Sequence, residues 1–125
     1  MSAVEDIEVS VTTAYVEAQS DPAQDRYVFA YTINILNRGT GVSQLRNRHW
    51  YISDAHGEVE EVQGEGVVGQ QPRLQPGEAF QYTSGAILKT PVGAMHGSYE
   101  FASETGDLFD VPIAPFSLCV PNMVH

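Results

Sequence analysis

Apolar residues in this chain recur at every second position far more regularly than at every third or fourth, the pattern of strands with one buried face. In residues 7–16, Ile7, Val9, Val11 and Tyr15 share one face, with Glu8, Ser10 and Thr12 opposite. Residues 27–37 alternate most clearly, Tyr27, Phe29, Tyr31, Ile33 and Ile35 falling between Val28, Ala30, Thr32, Asn34 and Leu36. A third strand is predicted near 45–53, with Trp50 and Ile52 on one face and His49 and Tyr51 on the other, and a short return strand at Val59 to Val62. Residues 79–88 alternate again. Tyr99 and Phe101 mark a further strand, and Phe109, Val111 and Ile113 another.

Between these runs lie turn-forming residues: Gln19 to Asp25, Asn37 to Gly41, Asp54 to Gly57, Gln75 to Glu78, Thr90 to Gly93 and Glu104 to Asp107. Gly64 to Leu74 is glycine-rich and without period, and reads as irregular. Short strands at this spacing predict an all-β domain, an antiparallel β-sandwich or small barrel, with no helix longer than two turns. The predicted core comprises Phe29, Tyr31, Ile33, Trp50, Tyr82, Tyr99, Phe101 and Val111.

A chain of 125 residues forms one domain, taken here as 1–125, with residues 1–6 and 122–125 expected to be flexible ends. Such a domain buries roughly two-thirds of its unfolded surface, enough for a core without disulfide or metal staples. Sixteen acidic residues against six Lys plus Arg give a formal charge of −10. A polyanion is repelled at long range by such a chain, which argues against nucleic acid and anionic membranes as partners. Cys119 is the only cysteine, suiting a reducing compartment, and no leader or membrane-spanning apolar run is visible. A cytoplasmic location is expected.

Several segments carry a resemblance: Gln19-Ser20, Tyr27 to Tyr31, Arg48-His49-Trp50, Gly64 to Pro72, Pro76 to Gly85 and Leu88 to Tyr99. Over residues 7 to 122 the chain resembles the ApaG family, also called CorD, whose domain occurs in some eukaryotic F-box proteins. The resemblance implies an immunoglobulin-like or fibronectin type III-like β-sandwich and a role without an assigned activity. It also implies links to cobalt resistance and magnesium efflux, to genes neighbouring diadenosine tetraphosphate hydrolysis, and to binding modules in eukaryotes.

The candidate ligand-binding residues are Gly64, Gly66, Gly69, Arg46, Arg48 and Arg73. Gly64-Glu65-Gly66-Val67-Val68-Gly69 fits G-x-G-x-x-G, but a dinucleotide site needs a helix start after the glycines, and Pro72 disfavours helix at Gln71. A glycine loop can still form an anion-binding nest of amide N–H groups, with the arginines assisting. Arg48 shares the face of Trp50 and is expected at the rim of the core.

The four histidines, His49, His56, His96 and His125, form no metal-binding pattern. Asp54, Glu58, Glu60 and Glu61 read as a solvated acidic hairpin rather than a cation site. Ser84-Gly85 and Gly97-Ser98 lack the nucleophile-elbow pattern, and Cys119, between Leu118 and Val120, is expected to be buried. No cofactor or catalytic set is indicated. The expected function is a non-catalytic module recognising a protein or peptide. The alternative is a module for a phosphorylated ligand or a divalent cation.

Overall fold

The computed structural model describes residues 5–121. Of the predicted flexible ends, residues 1–4 and 122–125 lie outside the described part, whereas the Asp6 carbonyl accepts the Arg38 N–H at 2.7 Å.

Eight strands form: β1 (Ile7–Tyr15), β2 (Tyr27–Asn37), β3 (Ser43–Asp54), β4 (Val59–Glu65), β5 (Arg73–Leu74), β6 (Ala79–Leu88), β7 (Val92–Ser103) and β8 (Leu108–Cys119). Two three-residue 3-10 turns between β1 and β2 are the only helical pieces among the described residues. The strands pair antiparallel into one sheet ordered β1-β2-β6 and a second ordered β4-β3-β7-β8, with the short β5 also on β3. The expected antiparallel sandwich is therefore what forms.

Alternation decides which residues fill the space between the sheets. Phe29, Tyr31, Ile33 and Ile35 of β2 face Trp50, Tyr99, Phe101 and Val111 of the other sheet, and all are buried. Trp50 is the hub of an aromatic cluster, its ring centroid 5.5 Å from Tyr31, 6.1 Å from Tyr99 and 5.9 Å from Phe116. All eight residues predicted for the core are buried. Asn37 is also buried, and its amide is satisfied by the Gly41 and Leu74 carbonyls and the Gly39 N–H, which fixes the end of β2.

Four segments and one residue differ from the sequence reading, the first being β5, which forms at Arg73–Leu74 within the stretch expected to be irregular. β4 continues to Glu65, and β8 continues to Cys119 through a bulge opposite Met95–Gly97. β7 begins at Val92, inside the expected Thr90–Gly93 break, because buried Thr90 donates its hydroxyl to the Val92 carbonyl and accepts the Ala55 N–H. Cys119 is half-buried rather than buried, its thiol donating to the Val120 carbonyl at 3.3 Å.

Candidate functional site

The two sides of the sandwich end differently. On one side β1 lies against β8. On the other, the β4 and β6 edges stand apart with a continuous cleft between them. Three adjoining cavities of about 400, 410 and 230 Å³ follow one another from Lys89 to the turn at Val68. They share lining residues: Ile52, Glu60 and Ile87 between the first two, and Tyr31, Arg48, Trp50 and Ser84 between the last two. Among the described residues, three of the four exposed large apolar ones ring this cleft: Val59 at 59%, Ile87 at 53% and Val68 at 53% exposure.

Arg48 stands at the junction of the last two cavities. It pairs in register with Gly64 on one side and Tyr99 on the other, and its parity with Trp50 points it inward, as expected. A side chain at position 64 would block it: a Cβ there would meet Arg48 Nη2 at 2.8 Å. The glycine lets the half-buried guanidinium lie across β4, where Nη1 donates to the Glu65 carbonyl at 3.1 Å and the Gly66 carbonyl at 2.9 Å.

The glycine segment itself is strand end and turn. Gly66 leaves β4 at φ +68, its N–H donating to the Arg46 carbonyl at 2.8 Å. Val67 turns inward and is 1% exposed, plugging the core. The N–H and C=O groups of Val67 and Gln70 then exchange bonds around Val68 and Gly69, which both have positive φ, +44 and +79. This is the geometry of a tight two-residue turn of the primed type. A β-branched residue in the left-handed region is a true outlier. It sets Val68 as an apolar lip of the cleft, opposite Tyr82 and Ser84.

Among the sequence-derived candidates, then, the structure brings together Arg48 and the glycine segment. Arg46 joins through its backbone carbonyl while its side chain is exposed, and Arg73 is exposed on β5. No helix follows the glycines, and the segment offers carbonyl oxygens to Arg48. Three of its N–H groups, those of Gly66, Val67 and Gln70, are held by backbone carbonyls.

Beneath Arg48, the Tyr82 and Tyr99 hydroxyls hydrogen-bond to each other in the core. Burial pushes both phenols well above the ordinary tyrosine range, so they stay neutral donors at physiological pH. Tyr82 and the half-buried Ser84 line this end of the cleft with Arg48, while Asp54, Glu58, Glu60 and Lys89 line the far end beside Ile52, Val59 and Leu88.

The outer face of the larger sheet carries a second, shallow depression of about 510 Å³, bordered by Asn47, His49, Gln63 and Glu100. Its polar groups bind one another: Asn47 Nδ2 donates to Glu100 Oε1 at 2.8 Å, and Glu61 Oε1 accepts from Gln63 at 2.7 Å and His49 at 2.9 Å. The bonds from Gln63 and His49 hold the Glu61 carboxyl below its usual range. Tyr51 bridges His49 and His96 by ring contacts at 4.7 and 5.0 Å. Among the described residues no three His, Cys, Asp or Glu side chains come together as a metal ion would require, and no helix is long and apolar enough to cross a membrane.

The fold and cleft define a small antiparallel β-sandwich with an open inter-sheet edge. The chain matches the ApaG domain family over residues 17–103 and belongs to it. It is 57% identical over 119 residues to Protein ApaG of Thiobacillus denitrificans, a match spanning 95% of this chain and 94% of that protein. The Azoarcus sp. Protein ApaG is 55% identical over the same shares of the two chains. The crystal structure of the putative ApaA protein from Bordetella pertussis superposes with a TM-score of 0.96 at 52% identity, over 98% of this chain and all of that one.

Proposed function

We propose that this chain is a non-catalytic, cytoplasmic recognition module that takes an extended segment of a partner protein as an added strand on β6. One observation carries the reading: β6 is a ten-residue sheet edge that nothing blunts. Its residues, Ala79 to Leu88, include no Lys, Arg, Asp, Glu or Pro, and its pairing with β2 runs without a bulge. Such an edge is a template for another strand, and natural proteins guard against it with charge, proline or a bulge unless it is used. β1, the opposite edge of the same sheet, carries Glu8 and lies against β8, and the remaining edges are guarded by charge, proline or a bulge. β8 carries Asp110, Pro112, Pro115 and a bulge, and β4 carries Glu60, Glu61 and Glu65.

The layers support the same reading. A three-stranded sheet faces a five-stranded one, and residues of β6 and of β4 line the two walls of the cleft between them. A segment paired to β6 would lie over β4, cover Val62 and direct alternate side chains into the cleft. Backbone bonds would supply affinity and the cavities selectivity. The phosphorylated-ligand reading is supported by the approach of Arg48 to the glycine segment. It is weakened because that guanidinium already bonds carbonyl oxygens and the loop N–H groups are largely engaged.

The test is selection of random dodecapeptides displayed on phage against the native domain, with binding of the recovered peptides then measured on the Ile87→Lys variant. Ile87 is exposed at the cleft lip, so the fold tolerates the change. The expected result is enrichment of extended apolar sequences that lose tenfold or more in affinity on the variant. Equal binding to both proteins would remove the reading.

A further inference from the structure

We infer that the β6 cleft selects a segment carrying an acidic side chain, received by Arg48, two positions after an apolar one that fills the middle cavity. This inference rests on the strand-addition reading and names the chemistry of its partner.

The first ground is charge. The chain has sixteen Asp and Glu and only six Lys and Arg. Even so, among the described residues the ion pairs are Arg38–Glu8 and His49–Glu61, and no carboxylate pairs with Arg48. A half-buried guanidinium has five N–H donors. Here one nitrogen, Nη1, serves two backbone carbonyls, while Arg48 also borders the two cavities at its end of the cleft. A half-buried cation at the end of an open cleft, which no carboxylate of an anion-rich chain pairs with, is matched to an anion from outside.

The second ground is position. The inward residues of β6 succeed one another as Leu88, Ala86, Ser84 and Tyr82, facing in turn the Ile52–Glu60 cavity, the Val62–Trp50 cavity and the Arg48 end. A strand added antiparallel to β6, like every long strand pair in the domain, would place one inward side chain against Ala86 and Val62. The next inward one, two residues later, would fall between Arg48, Ser84 and Val68. The first site is walled by Trp50, Ile52, Val62 and Ala86, with Glu60 at its margin. The second combines one guanidinium with two hydroxyls, those of Ser84 and Tyr82, against an apolar lip.

Charge number separates carboxylate from phosphate. One Arg balances one negative charge, whereas a phosphomonoester carries about −1.5 to −2. Glu60 lines a cavity that Arg48 also lines, and the chain is at −10. A monoanion is what this cleft end can neutralise.

The experiment uses an acetylated, amidated heptapeptide, KVKVKEK, titrated into the native domain while backbone amide shifts are followed by NMR. Comparators carry glutamine or phosphoserine in place of the glutamate. Glutamine makes the peptide more cationic and favours non-specific attraction to an acidic protein, so a glutamate preference cannot come from bulk charge. The expected result is saturable shifts along Ala79–Leu88, with the glutamate peptide binding at least tenfold tighter than either comparator. That preference should fall below twofold in Arg48→Gln.

Because Arg48→Gln also strips two carbonyls of their donor, Ser84→Ala provides a milder check. It should reduce the preference two- to fivefold with the fold intact. Shifts along β6 with equal affinity for glutamate and glutamine peptides would overturn the Arg48 assignment and leave strand addition standing. No shift on β6 with any peptide would overturn both. So would a β6-paired dimer of the free protein in sedimentation, dissociated by Ile87→Lys. Tighter binding of the phosphoserine peptide would overturn the monoanion assignment.

Discussion

The two sides of this sandwich are built from similar strands and end in opposite ways. At β1 and β8 the sheets lean together, and the edges there carry Glu8, Asp110, Pro112, Pro115 and a bulge. At β4 and β6 the sheets part around a cleft floored by Trp50 and Tyr31, and β6 carries no charge or proline at all. Under the strand-addition proposal, β6 is the edge at which a partner segment would pair, while charge or proline marks the β1, β4 and β8 edges. Because both sides share one core, substitutions can separate the roles: some should collapse the whole domain, others should alter the open side alone.

The largest effect is expected for Trp50→Ala. The residue is 2% exposed and joins the core to the cleft floor, so its loss should cost ~3–5 kcal/mol in urea unfolding. A loss under ~1 kcal/mol would mean the two sides do not share a core in the way described.

The next effect is on pH dependence. Tyr82 and Tyr99 have raised pKa values in the folded state and ordinary ones when unfolded. Above the unfolded pKa of about 10 the unfolded chain therefore releases protons first. The stability these phenols hold is complete below that pH and is lost as pH rises toward the higher folded values, at up to ~1.4 kcal/mol per pH unit for each phenol. Unfolding monitored from pH 9 to 11 should show this fall, and Tyr82→Phe should make it shallower. An unchanged slope in the variant would remove Tyr82 from the cause.

Smaller and opposite effects are expected in the turn that walls the open side. Gly66→Ala puts a methyl group at φ +68 and against the Gln70 carbonyl oxygen, and should destabilise by ~1–3 kcal/mol. Val68→Gly relieves the strained position and should be neutral or stabilise by up to ~1 kcal/mol. It also removes the lip, so peptide affinity should fall. Unchanged affinity in the variant would show that Val68 has no part in binding, and a gain would show that it hinders it. On the closed side, the exposed Arg38–Glu8 pair at 3.2 Å should matter least, with Glu8→Ala changing stability by under ~0.5 kcal/mol.

Much of this was legible from alternation alone. Period-2 patterning placed the long strands and all eight assigned core residues, because burying one face of a strand forces that pattern on the sequence. The inward direction of Arg48 followed from its parity with Trp50. What Arg48 does there was not legible, since it depends on a cross-strand glycine, Gly64, sixteen positions away in sequence. The turn at Val68 was hidden for a related reason, as a β-branched residue is the last expected at positive φ. Most consequential is β6. An uncharged alternating run such as Ala79 to Leu88 carries no mark of being an edge. Only the pairing of distant segments leaves it with β2 on one side and the cleft on the other.

Residue-resolved amide hydrogen exchange tests the central claim most directly, measured on the native domain alone and saturated with a display-selected peptide. The account predicts that amides of β6 slow by tenfold or more on saturation, while those of β1, the opposite edge of the same sheet, keep their free-state rates. Protection appearing at β1 and β8, or confined to the outer-sheet residues around His49 and Tyr51 with β6 unchanged, would contradict it.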